Sequence, residues 1–113
     1  MNIDELIKFR AKLWAELDSV AKAKGKDYSG AEGDTFKNLR LSELYGVPAE
    51  IGILIRVGDK YSRIFELLMR EWKGGDGPAV KEEAIEDSLK DMINYISYIL
   101  AIRSERKDNA YKT

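Results

Sequence analysis

The chain has 113 residues, with 19 Lys and Arg, 20 Asp and Glu, and neither His nor Cys. That length fits one domain, 1–113, able to bury about two-thirds of the surface its unfolded chain exposes, so folding requires no disulfide or metal. A formal charge of −1 argues against a dedicated DNA-binding surface, and the missing His and Cys exclude imidazole and thiol catalysis and ordinary zinc, haem or iron–sulfur ligation, leaving Mg, Mn or Ca held by carboxylates.

The N-terminus, Met1 to Glu5, has acids where a signal peptide would have lysines, and no apolar run follows. A helix is expected from Ile3 to about Lys24. Leu6, Leu13 and Val20 recur every seventh residue with Ile7, Trp14 and Ala21 beside them, one apolar stripe at helical period. Lys22, Lys24 and Lys26 suit the C-terminal end of its dipole, and Gly25 is a stop signal. Lys26 to Asp34, KDYSGAEGD, has two glycines and no periodicity, which predicts a loop. A short helix follows from Thr35 to Tyr45, with Phe36, Leu39 and Leu44 inward and Gly46 ending it. Pro48 opens a third helix that runs to about Trp72. Its core stripe is Leu54, Gly58, Tyr61, Phe65, Leu68 and Trp72, and Ile53, Val57, Ile64 and Leu67 widen it enough to touch more than one neighbour. Lys73 to Pro78 breaks the chain. The last helix is expected from about Ala79 to Arg103, with Ile85, Leu89, Met92, Ile93, Ile96, Ile99 and Leu100 as its core, and 104–113 as a frayed tail. The longest purely aliphatic-and-glycine run, Ile51–Ile55, is far short of a membrane span. The expected fold is therefore all-α, an antiparallel helical bundle of three long helices and one short helix, completed by a homodimer or higher oligomer. A cytoplasmic protein is expected (host cytoplasm if phage-encoded), with no membrane partner.

Three groups of residues bear on function. The first is Lys26, Asp27, Tyr28, Ser29 and Gly30 with Asn38 and Arg40: a cation, an aromatic face and backbone amides near a glycine suit a phosphate and a base, whereas the plainer reading makes Asp27 and Asn38 caps and Tyr28 a core residue. The second is Arg56, Asp59, Lys60 and Arg63, on one side of the third helix, where two guanidinium groups and an ammonium can hold phosphates or simply form a solvated face. The third is acidic: Glu82, Glu83, Glu86, Asp87 and Asp91. The helix dipole accounts for the first of these acids, but Asp91 lies beyond its reach, and carboxylates one turn apart can ligate Mg, above all with Asp59 from a facing helix.

Taken in order, KGKDY (Lys24–Tyr28), TFKNLR (Thr35–Arg40), IRVGDKYSR (Ile55–Arg63) and EDSLKDMINYISY (Glu86–Tyr98) resemble the nucleotide modification associated domain family, first type, of bacteriophages and bacteria. The resemblance covers about Lys22 to Leu100 and implies a link to phage nucleotide metabolism. More distantly, the last helix resembles the end of the all-α nucleoside triphosphate pyrophosphohydrolases of the MazG and dimeric dUTPase type, which bind Mg through E-x-x-E on one helix and E-x-x-D on the next. Asp91 matches the acidic end of the second motif. The residue three before it is Ser88 rather than Glu, Asp87 is one place off, and Asp59, Lys60 and Arg63 stand where the first motif has glutamates.

The leading expectation is a small phage-type protein that binds a phosphorylated nucleotide through Lys26, Tyr28, Asn38, Arg40, Arg56, Lys60 and Arg63, sequestering it (a signalling nucleotide of host defence, for example) rather than turning it over, with no cofactor. The alternatives are a Mg-dependent pyrophosphohydrolase using Asp59, Asp87 and Asp91, and a purely structural or protein-interaction bundle.

Overall fold

The computed structural model describes the backbone of residues 1–29, 37–74 and 80–112, and the side chains of 1–23, 38–74 and 84–108. Among these residues all regular structure is helical: α1 (Ile3–Ser29), a 3₁₀ helix (Lys37–Tyr45), α2 (Ala49–Trp72) and α3 (Val80–Lys112). No helix among the described residues is long and apolar enough to cross a membrane. The chain divides into two compact units, Met1–Asn38 and Leu39–Thr113.

In the first unit, Asn2 caps α1, its side-chain oxygen accepting from the Glu5 amide at 2.9 Å, and Asp4 and Glu5 occupy the first turn, where the dipole favours acids. The helix does not stop at Gly25 but runs on to Ser29, so Lys26 to Ser29 are helical rather than part of a loop. A glycine inside a helix costs about 1 kcal/mol, and the Ala and Lys residues before it are good helix formers, so a lone glycine weakens the helix without ending it. The rest of the expected loop, 30–34, and Phe36 lie outside the described residues.

The second unit is built on an antiparallel pair, α2 and α3. Gly46 (φ 76°) and Gly74 (φ 71°) take the left-handed conformation that ends the 3₁₀ helix and α2. Pro48 precedes α2 at φ −54°, and its carbonyl accepts from the amides of Ile51 and Gly52. Ala49, Ile53, Val57 and Ile64 of α2 and Ile85, Ser88 and Ile102 of α3 are buried.

This inward row differs from the expected one. Leu54 (57% exposed), Tyr61, Phe65, Leu68 and Trp72 (78%) are exposed on α2, as are Leu89, Ile96 and Leu100 on α3. The apolar arc of α2 is wider than one neighbour can cover, and α3 takes the β-branched part of it. The tail also differs from expectation, because α3 continues to Lys112. Its late turns are anchored by charge: Glu50, whose side chain is 16% exposed, pairs with both Arg103 (3.2 Å) and Arg106.

The 3₁₀ helix sits against the start of α2. The Ser42 hydroxyl donates to the Pro48 carbonyl at 3.4 Å, and a Cβ added at Gly52 would lie 2.6 Å from Ser42 Oγ and 2.8 Å from Ser42 Cβ. Close approach is therefore the reason for this glycine. Gly52→Ala is expected to destabilise by about 1 kcal/mol, since overpacking outweighs the better helix propensity of Ala. Urea unfolding checks this, and an increase in stability would contradict it.

Candidate functional site

The first group is only partly described. Lys26 and Tyr28 belong to the last turns of α1, and their side chains lie outside the described residues. Asn38 is exposed. Arg40 is used structurally: its Nη2 donates to Glu105 Oε2 at 3.0 Å, tying the 3₁₀ helix to α3.

The second and third groups meet. Lys60 Nζ lies 3.0 Å from Asp91 Oδ2, joining α2 to α3, and the two side chains are 30% and 33% exposed. Lys60 thus leans from the edge of the inward row of α2 towards α3. Arg56, Asp59 and Arg63 are exposed. At about 100° per residue, Arg56 and Arg63 fall on either side of Lys60, one turn from it in each direction. Neither arginine makes an ion pair with another described residue, whereas Arg70, one heptad further on, pairs with Glu66. Among the described residues, two guanidinium groups without an ion pair and one part-buried ammonium therefore lie along one side of the hairpin.

Tyr98 completes this side and was not singled out from the sequence. It lies two turns beyond Asp91 on α3, so helical spacing could have found it. Its ring meets Tyr95 edge to face, with centroids 6.4 Å apart. Burial holds its phenol above the ordinary value of 10.0, and the neighbouring Tyr95 and then Asp91 add to the effect. The site thus places a neutral hydroxyl and an aromatic edge beside the Lys60–Asp91 pair.

The carboxylates are not gathered in the same way. Among the described residues no three acids converge as a metal site. Asp91 is engaged by Lys60, Asp59 and Asp87 are exposed, and the side chains of Glu82 and Glu83 lie outside the described residues. Ser88, where the hydrolase motif has Glu, is buried on the inward side of α3, so the exposed Asp87 does not take its place. The side chains described here do not form a Mg cradle without moving the Lys60 ammonium.

No family model, no curated protein and no solved structure matches this chain.

Proposed function

We propose that the chain binds a phosphorylated nucleotide on the Arg56–Lys60–Arg63 side of the α2–α3 hairpin, and holds it rather than cleaving it. The observation that carries this reading is the pair of arginines flanking Lys60 that, among the described residues, have no acidic partner. An exposed cation on a helix can pair with an acid one turn away, as Arg70 does with Glu66. Arg56 and Arg63 have Asp59 within that spacing and do not pair with it. About 10 Å of helix separates them, and their long, forked side chains can converge on one oligophosphate with bidentate contacts. Tyr95 and Tyr98 supply ring surface on the facing helix for a base. Capture is preferred to hydrolysis because the acid best placed to hold a metal, Asp91, is already bound to a lysine.

The test is incubation of the full chain with a mixed nucleotide panel, with and without Mg, followed by denaturation and mass analysis of what is released. An intact nucleotide recovered without Mg supports capture. A pyrophosphate-shortened product formed only with Mg supports the hydrolase instead, and recovery of nothing leaves the charged side as a solvated face.

A further inference from the structure

We propose that the exposed apolar side of the α2–α3 hairpin is the contact surface for a second copy of this chain, with the two α2 helices antiparallel and the two-fold axis passing near the level of residue 63. This inference is independent of the nucleotide reading.

Four observations lead to it. The first is placement. On α2 the row Leu54, Tyr61, Phe65, Leu68 and Trp72 is rotated on average about 75° from the buried Ile53–Ile64 row. On α3, Leu89, Ile96 and Leu100 are rotated by about the same angle, in the same helical sense, from the buried direction between Ile85 and Ile102. Because the helices are antiparallel, equal rotations bring both rows to the same side of the hairpin. Arg56 and Arg63 are rotated the other way, so the charged site faces away from this surface.

The second is charge. Between Ile51 and Trp72, none of the charged residues of α2 falls on this apolar side. On α3 the row continues at helical period into Arg103, which is held by Glu50, and Lys107.

The third is size. The eight exposed side chains leave on the order of 900 Å² of apolar surface, three of them being aromatic with ~150–250 Å² each. The five side chains on α2 make up most of this, at the upper end of the ~300–600 Å² of the largest patch on a typical monomer. Tyr61 and Phe65 already stack on each other at 6.2 Å, presenting a preformed ring pair.

The fourth is self-complementarity, which is what selects a second copy over another partner. An interface between identical chains must map onto itself. The α2 row does so about position 63: Leu54 falls opposite the partner's Trp72, Gly58 opposite the partner's Leu68, and Tyr61 opposite the partner's Phe65. Among the described residues of one chain, nothing crowds Gly58. A Cβ added there would meet nothing within 4 Å, so this glycine weakens the helix and gains nothing inside one copy. Opposite a leucine of a second copy, it leaves the room that side chain needs.

The experiment measures the mass of the full chain in solution by light scattering and sedimentation from low to high micromolar concentration. The wild type is expected at twice 12.9 kDa. Gly58→Leu, which enters open space in one copy and improves helix propensity, is expected to keep the helix content and weaken the dimer at least about 100-fold. Phe65→Glu should do the same. A monomeric wild type throughout, or a Gly58→Leu variant that associates as the wild type does, overturns the proposal. If Phe65→Glu loses its helix signal, Gly58→Leu alone decides.

Discussion

Replacing Ile53 by Ala is expected to cost about 3 kcal/mol of folding stability and to lower the melting temperature by about 15 °C. Ile53 is 0% exposed, on the inward row of α2, while its neighbour Leu54 is 57% exposed. Truncating Ile53 removes transfer free energy and leaves a cavity between two helices held in register by Lys60–Asp91 and Glu50–Arg103, so collapse into the void is hindered. Truncating Leu54 removes a side chain that the single copy leaves mostly in water, and should cost less than about 1 kcal/mol in a dilute sample. If two copies pair through this face as proposed, the two substitutions also differ in concentration dependence: the loss at Ile53 is the same at every protein concentration, whereas the loss at Leu54 grows with it. Thermal unfolding of both variants over a range of concentrations reads this directly. Equal losses at the two positions would mean that α2 is rotated from the orientation described here.

That contrast also marks how far the sequence could be read. The existence of the helices was legible, because apolar residues recur at helical period and because Gly46 and the Lys73–Pro78 segment interrupt the pattern. The rotation of α2 was not. Its apolar residues cover an arc from Leu67 through Ile53 to Phe65, and periodicity identifies the arc without saying which part meets α3. The larger residues, Tyr61, Phe65 and Trp72, drew the expectation to one edge, while the structure packs the compact branched side chains, Ile53, Val57 and Ile64, against α3. The end of α3 was illegible for another reason. Its anchor, Arg103 and Arg106 on Glu50, joins residues more than fifty apart, and no local pattern announces such a pair. The charged site was half legible. Helical spacing alone puts Arg56, Lys60 and Arg63 on one side of α2, and Asp91 stands out as an acid too deep in its helix for the dipole to explain. That Lys60 and Asp91 would be each other's partner required the register of the hairpin.

Asp91→Asn separates the two chemical readings of this site by the sign of its effect. In the wild type the Lys60 ammonium is held at 3.0 Å by the carboxylate, so a phosphate approaching Arg56 and Arg63 must compete with Asp91 and is also repelled by it. Neutralising Asp91 releases Lys60 and removes the repulsion. Both side chains are about one-third exposed, so losing the pair should cost the fold no more than about 1 kcal/mol. Under the capture reading, nucleotide affinity therefore rises several-fold in Asp91→Asn. Arg63→Ala moves the other way: loss of a charge-assisted contact to phosphate is worth about 2 kcal/mol, or about 30-fold in dissociation constant. Both effects should shrink as salt is raised, because the arginines are exposed and screened. A Mg-dependent hydrolase requires the reverse at Asp91, since a carboxylate that ligates metal cannot become an amide without loss of turnover. Titration calorimetry with the captured nucleotide, alongside a phosphate-release assay in Mg and Mn, distinguishes the cases. Tighter binding without turnover supports capture, lost turnover supports hydrolysis, and affinity unchanged in both Asp91→Asn and Arg63→Ala removes this side of the hairpin from nucleotide recognition.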